Sequence, residues 1–223
     1  MVIKKICSTI AKPVPAPVNG VVASGGGGTY TIDAAGDDGW FRKIASVMMG
    51  SASSPTTYST HQNAGTITAG AIYDSDEMEY TWYKAYFRFV NVEVAQGATI
   101  ASAEFKPFVA GGTGSKTFTL AAHDSDDISA PSGASDGAHS NHTSATVSWA
   151  NPSTSAGQVT SPDVKTIIQE IVNRSGWSSG SDLMIVMWLA SISTGDDGYR
   201  TFSDYTASSG TKKAQLVITV GED

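Results

Sequence analysis

The chain of 223 residues has one cysteine, Cys7. That excludes an intrachain disulfide framework and a thiolate zinc cluster. No stretch approaches 18 consecutive apolar residues, so no helical membrane span is expected. Charged residues make up only 16%, and the good helix formers among them are correspondingly scarce. The chain carries no Gly-x-Ser-x-Gly elbow, P-loop, dinucleotide fingerprint or His-Glu-x-x-His. With four histidines and no nucleophile placed by a motif, no residue is assigned a catalytic role. The expectation is a non-enzyme that needs no cofactor.

Glycine, serine, threonine and alanine are plentiful instead, a mix that suits short strands joined by turns. A chain of this length buries roughly 70–75% of its unfolded surface, and all-β sandwiches reach it as one domain. The net charge of −7 is unevenly placed. Residues 1–30 hold Lys4, Lys5 and Lys12 and no acid, while the remainder sets 11 basic against 21 acidic side chains. An acidic body argues against nucleic acid as a partner, because phosphate contacts dominate that affinity.

Met1–Ile10 has the charged start of a secretory signal, but its apolar stretch is too short and interrupted. Pro13, Pro15 and Pro17 remove backbone donors at alternate positions and favour an extended polyproline conformation. Residues 1–23 therefore read as an extended N-terminal arm, followed by a flexible joint at Ser24–Gly28 and a body from 24 to 223. The arm carries apolar residues suited to lying on a neighbour (Val2, Ile3, Ile6, Ile10, Val14, Val18) and lysines suited to an acidic one (Lys4, Lys5, Lys12).

The strongest strand signal is Tyr83–Val92. Period two sends Tyr83, Ala85, Phe87 and Phe89 to one face and Lys84, Tyr86 and Arg88 to the other, predicting an apolar face packed inward and a cationic face in water. A turn at Gln96-Gly97 leads to a second strand through Ile100, Ala103 and Phe105. Lys116–Ala122 and Ala145–Trp149 alternate as well, Leu183–Leu189 reads as a strand buried on both sides or covered by a helix, and Gln215–Val220 closes the chain. One amphipathic helix is expected over about 161–174. Ser161 is its cap candidate, Pro162 and Asp163 suit its first turn, and Val164, Ile167, Ile168, Ile171 and Val172 form its apolar stripe, with Gly176 near the stop.

Three groups of side chains are candidate sites. Trp82 and Tyr86 beside Lys84 and Arg88 are the residue types of a platform for an anionic sugar, rings stacking and cations pairing carboxylates; ordinary core and strand surface is the plainer account. The loop 123–143 is dense in ligand types, with Asp124, Asp126 and Asp127 as calcium candidates and His139 and His142 three apart. It fails the EF-hand pattern, so no metal is expected. Gly-Asp-Asp-Gly followed by an aromatic occurs at 36–40 and again at 195–199, near Arg42 and Arg200. Similar turns at two strand starts explain it; a shared cation site of Asp37, Asp38, Asp196 and Asp197 is the other reading.

Taken together, Tyr86–Phe89, the turn through Gln96–Ile100, Ala103–Phe105, the helix with Ile167–Arg174 and Gly176-Trp177, and Tyr199–Tyr205 before Leu216–Ile218 resemble the jelly-roll β-sandwich modules of the DNRLRE type. These occur in carbohydrate-binding modules and in tailed-phage structural proteins. The resemblance spans residues from about 29 to 220, and Arg200–Asp204 matches the family's closing segment only approximately. It implies an all-β jelly roll with one helix. It also implies either a decoration or cement protein on the capsid surface, or a carbohydrate-binding or tail protein recognising acidic polysaccharide. The arm, and a start that is not expected to be cleaved as a signal, favour the first. The expected partners are the major capsid protein or other virion proteins, with a homotrimer implied by the resemblance, synthesis in the host cytoplasm, and no membrane.

Overall fold

A computed structural model describes residues 26–48, 51–52, 59–62, 65–132, 140–191, 197–207 and 210–222. The predicted arm, with Val2 through Val18, lies outside the described residues, as do Asp136, His139 and Asp196.

The strands, in chain order, are β1 (Gly28–Thr31), β2 (Asp38–Met48), β3 (Ser51–Ala52), β4 (Ser59–Gln62), β5 (Thr66–Asp74), β6 (Glu79–Val92), β7 (Ile100–Lys106), β8 (Phe108–Thr113), β9 (Thr117–Ala122), β10 (Val147–Ala150), β11 (Gly157–Gln158), β12 (Ser181–Leu189), β13 (Gly198–Ser203) and β14 (Gln215–Val220). A helix, α1 (Lys165–Val172), precedes β12. The fold is an all-β sandwich with one helix among the described residues. One sheet of three strands runs β1-β14-β7. A curled sheet of eleven runs β10-β9-β12-β6-β5-β13-β8-β11, with β2 on β6 and the short β3 and β4 on β2.

The long strand β6 is where the layers divide. Residues 79–83 pair with both β2 and β5, and residues 85–87 with both β2 and β12. One strand edge holds one partner at a given residue, so β2 takes one edge of β6 while β5 and β12 share the other. At the fork β5 bends away at Gly70, opposite Tyr83, with φ +134°. A Cβ there would stand 2.5 Å from the Gly198 carbonyl oxygen, so only glycine lets β13 pair closely past the bend.

Between the layers lies the main core. Phe87 joins them, 4.9 Å from the ring of Phe105 on β7 and 5.7 Å from Phe202 on β13. Ala85, Phe87 and Phe89 point inward as their alternation predicts, each large side chain contributing about 2–3 kcal/mol by burial. The opposite face is not the cationic, water-facing surface expected. Phe41, Tyr86, Met184 and Val186 form a second cluster, each fully buried, with Ile128 and Trp188 packed on it. This explains the unbroken apolar run of β12: Leu183, Ile185, Met187 and Leu189 face the main core while Met184 and Val186 face the second.

The helix is shorter than expected, beginning at Lys165 rather than near Ser161. The Ser161-Pro162-Asp163 segment serves the sheet instead. Strand β7 pairs with β14 on one side; on the other, its Phe105 N–H donates to Ser161 Oγ, Ala103 N–H to Asp163 Oδ1 and Ile100 N–H to Gln169 Oε1. Polar side chains thus satisfy an edge that has no partner strand. Asp163 Oδ1 also accepts from Lys165 N–H at the helix start. Ile167, Ile168, Ile171 and Val172 bury the apolar stripe as predicted. The helix ends at Asn173 in a right-handed conformation, so Gly176 does not supply a left-handed cap.

Candidate functional site

The four side chains of the expected sugar platform do not form one surface. Tyr86 is fully buried against Phe41. Arg88 crosses from the sheet to the loops: Nη1 donates to Asp37, Nη2 to Asp182, and Nε to the Ile128 carbonyl. It is a bridge between the β2 start, the 124–128 loop and β12, and its charge is already matched by two carboxylates. Trp82 packs against the main core and stacks on Tyr80, with ring centroids 5.9 Å apart.

Lys84, too, lies beside groups that sequence spacing did not connect to it. Its Nζ is 3.3 Å from His142 Nε2 and 4.7 Å above the Trp188 ring, on which the His142 imidazole stacks. Burial first, and then the nearby Lys43 charge, lower the Lys84 pKa to about 8. His142 reaches this position through the isolated bridge between His142 and His123. Adjacent cross-strand positions on β6, β12 and β9 bring Lys84 and Trp188 together.

The calcium candidates are used as anchors. Arg174, just past the helix, donates Nη1 to Asp124 and Nε to Asp126, and these carboxylates hold its pKa up. Asp127 accepts from the Asp182 N–H at 2.8 Å. The loop is therefore clamped by an arginine where a cation was considered. Among the described residues no group of three or more His, Cys, Asp or Glu is arranged to hold a metal.

The shared cation site at the two Gly-Asp-Asp-Gly motifs does not form from the residues described. Asp37 pairs with Arg88, and Asp38 accepts from the Tyr205 N–H at 2.9 Å, while Asp197 is exposed. Each motif does stand at a strand start, β2 and β13. Asp38 and Asp204 are each 1% exposed. Asp204 receives N–H bonds from Gly65 and Ala207 and the Thr206 hydroxyl. Asp38 has one oxygen, Oδ1, without a hydrogen-bond partner. Burial, then the charges of Asp204 and Asp37, push the Asp38 pKa up to about 8. Sequence patterning flagged Asp38 through its motif and Asp204 only as the end of the Arg200–Asp204 segment, and did not connect the two.

The first described residues are tied to the sheet at one corner. Gly26 bridges to Val94, and the Gly27 N–H donates to the Glu93 carbonyl at 3.1 Å. A Cβ on Gly26 would fall 1.8 Å from that same oxygen. Trp177, after the helix, donates Nε1–H to the Val94 carbonyl at 2.9 Å and fixes this corner from the other side.

No family model matches the chain, and no curated protein matches it. Among solved structures, xylanase 10C of Cellvibrio japonicus, solved as a variant in complex with xylopentaose, is similar at 13% identity and a TM-score of 0.30. The alignment covers 85% of this chain and 28% of the xylanase chain. That degree of likeness assigns neither a fold family nor an activity.

Proposed function

We propose that the chain is a virion structural protein of a tailed phage, a decoration or cement protein held on the capsid shell by its N-terminal arm. The observation that carries this reading is the use made of the body's charges. Arg88 and Arg200 tie loops to strands, and Arg174 ties the 124–126 loop to the end of α1, as suits a rigid block. The block anchors residue 26 at a fixed corner between β6 and α1. Upstream of that corner the chain is apolar, basic and proline-spaced, the chemistry of a segment that lies extended across an acidic neighbour. Burial of Val2, Ile3, Ile6, Ile10, Val14 and Val18, with Lys4, Lys5 and Lys12 pairing carboxylates of the shell, supplies the affinity. A trimer would present three arms at once and raise avidity by effective concentration.

Deleting residues 1–23 tests this. The truncated protein keeps its β-type circular dichroism and loses co-sedimentation with shells of the phage that encodes it. Unchanged decoration by the truncated protein refutes the arm mechanism. The alternative, a carbohydrate-binding or tail protein that recognises acidic polysaccharide, gains little from the Trp82, Lys84, Tyr86 and Arg88 platform, because Tyr86 and Arg88 are spent inside the fold.

A further inference from the structure

Strand pairing gathers two lysines, a histidine and a tryptophan on one face of the large sheet, next to the second apolar cluster. Lys84 on β6 lies opposite Phe41 on β2, so Lys43, two residues on, is its diagonal neighbour on the same face. On the other edge of β6, Ala85 pairs with Met187, which sets Trp188 of β12 beside Lys84. The Lys84 Nζ lies 4.7 Å from the Trp188 ring centroid and 3.3 Å from His142 Nε2. Phe41, Tyr86 and Val186 continue this face as an apolar floor. Lys84 itself is partly exposed. Lys106, Lys165 and Lys213 each stand beside a carboxylate instead.

A lysine in such a place gives up its proton more readily than one in water. Burial and the Lys43 charge both favour the neutral amine, and they outweigh the pull of the Trp188 face on a cation. With a pKa of about 8, roughly a quarter of the amine is neutral at pH 7.5, against about a thousandth for a solvated lysine. The same neighbours select the reagent. An acyl group or an aldehyde leaves an uncharged product, which gains nothing from Lys43. Carbon dioxide leaves an anion, which Lys43 favours by charge and the imidazole by hydrogen bonding. A reagent of three atoms is also small enough to reach a partly covered amine above an apolar floor.

We propose that Lys84 is a carbamylation site for carbon dioxide, its carbamate held by Lys43 and His142. The lone pair of Nζ forms the N–C bond, one C=O π pair of carbon dioxide moves onto oxygen, and the nitrogen's proton passes to His142 Nε2 and on to water. Nothing is oxidised or reduced, and the side chain changes from cation to anion. The titratable groups beside the amine are Lys43 on β2 and His142, itself bridged to His123, while β12 contributes Trp188. At a fixed pressure of carbon dioxide the occupancy therefore rises with pH. The site is independent of the arm and of the capsid reading. The test places the full chain in carbon-13 bicarbonate at pH 7.5 and follows the protein-borne carbamate by carbon NMR. Trapping with a trialkyloxonium salt and peptide mass spectrometry then locate it. A saturable carbamate on Lys84 is expected, at least about tenfold above the occupancy of the half-exposed Lys165. Lys84→Arg keeps a cation over Trp188 and removes the adduct, and Lys43→Gln lowers its occupancy by about threefold or more. No carbamate on Lys84, or one no more abundant than on Lys165, overturns the proposal in the unaltered chain. Unchanged occupancy in Lys43→Gln overturns the part given to Lys43.

Discussion

Replacing Asp38 by Asn isolates an electrostatic tension inside the fold. Asp38 is 1% exposed, faces the charges of Asp204 and Asp37, and has its pKa raised from 3.8 to about 8. The folded protein therefore holds a proton that the unfolded chain gives up. For an acid with a raised folded pKa, the stability contribution is complete below pH 3.8 and erodes as pH rises, until it is lost above about pH 8. Each pH unit in that window costs about 1.4 kcal/mol, which sums to roughly 4 kcal/mol by pH 7 and reaches its limit near pH 8. Asn keeps the oxygen that accepts from Tyr205 N–H, adds a donor where Oδ1 has no partner, and does not titrate. Urea unfolding followed by tryptophan fluorescence at pH 4, 5.5, 7 and 9 should show the variant near wild type at pH 4 and increasingly more stable at higher pH. The difference between the two proteins removes all other titrating groups from the comparison. Parallel stability curves from pH 4 to 9 would refute the buried-proton account.

Two other changes probe the frame. Arg88→Met strands Asp37 and Asp182 in low-exposure positions and should cost about 3 kcal/mol; adding Asp37→Asn and Asp182→Asn should restore much of the melting temperature, and no recovery would mean that the arginine acts by packing alone. Gly70→Ala places a methyl 2.5 Å from the Gly198 carbonyl at φ +134° and should cost more than about 2 kcal/mol in urea unfolding. An unchanged midpoint would show that β5 does not need its bend.

How much of this was readable in advance follows from the range of each interaction. Period-two patterning placed Ala85, Phe87 and Phe89 inside, because alternation is a local property of an extended backbone. It failed for Tyr86 and Arg88, because the second face is covered by Phe41 and by Met184 and Val186, residues far apart in the chain. The unbroken apolar run of β12 was the available clue that a second covered face existed. The helix stripe was legible for the same local reason, whereas its start was not: Ser161 and Asp163 have the chemistry of caps, and the open edge of β7 takes them instead. Asp124 and Asp126 look like cation ligands by spacing, and Arg174, about fifty residues on, makes them an ion pair.

The sequence by itself determined the class of the molecule: few charges, many turn formers and clean alternation yield an all-β body with one helix. It also determined the separate chemistry of residues 1–23, which no fold is required to see. Tertiary structure alone decided which polar groups meet. Lys84 beside His142 and Trp188, Asp38 facing Asp204, and Arg200 on the carbonyls of Pro152, Thr113 and Gly114 are all products of strand pairing across long sequence separations. Burial then sets their energies, since a charge removed from water depends on whichever neighbours the topology supplies.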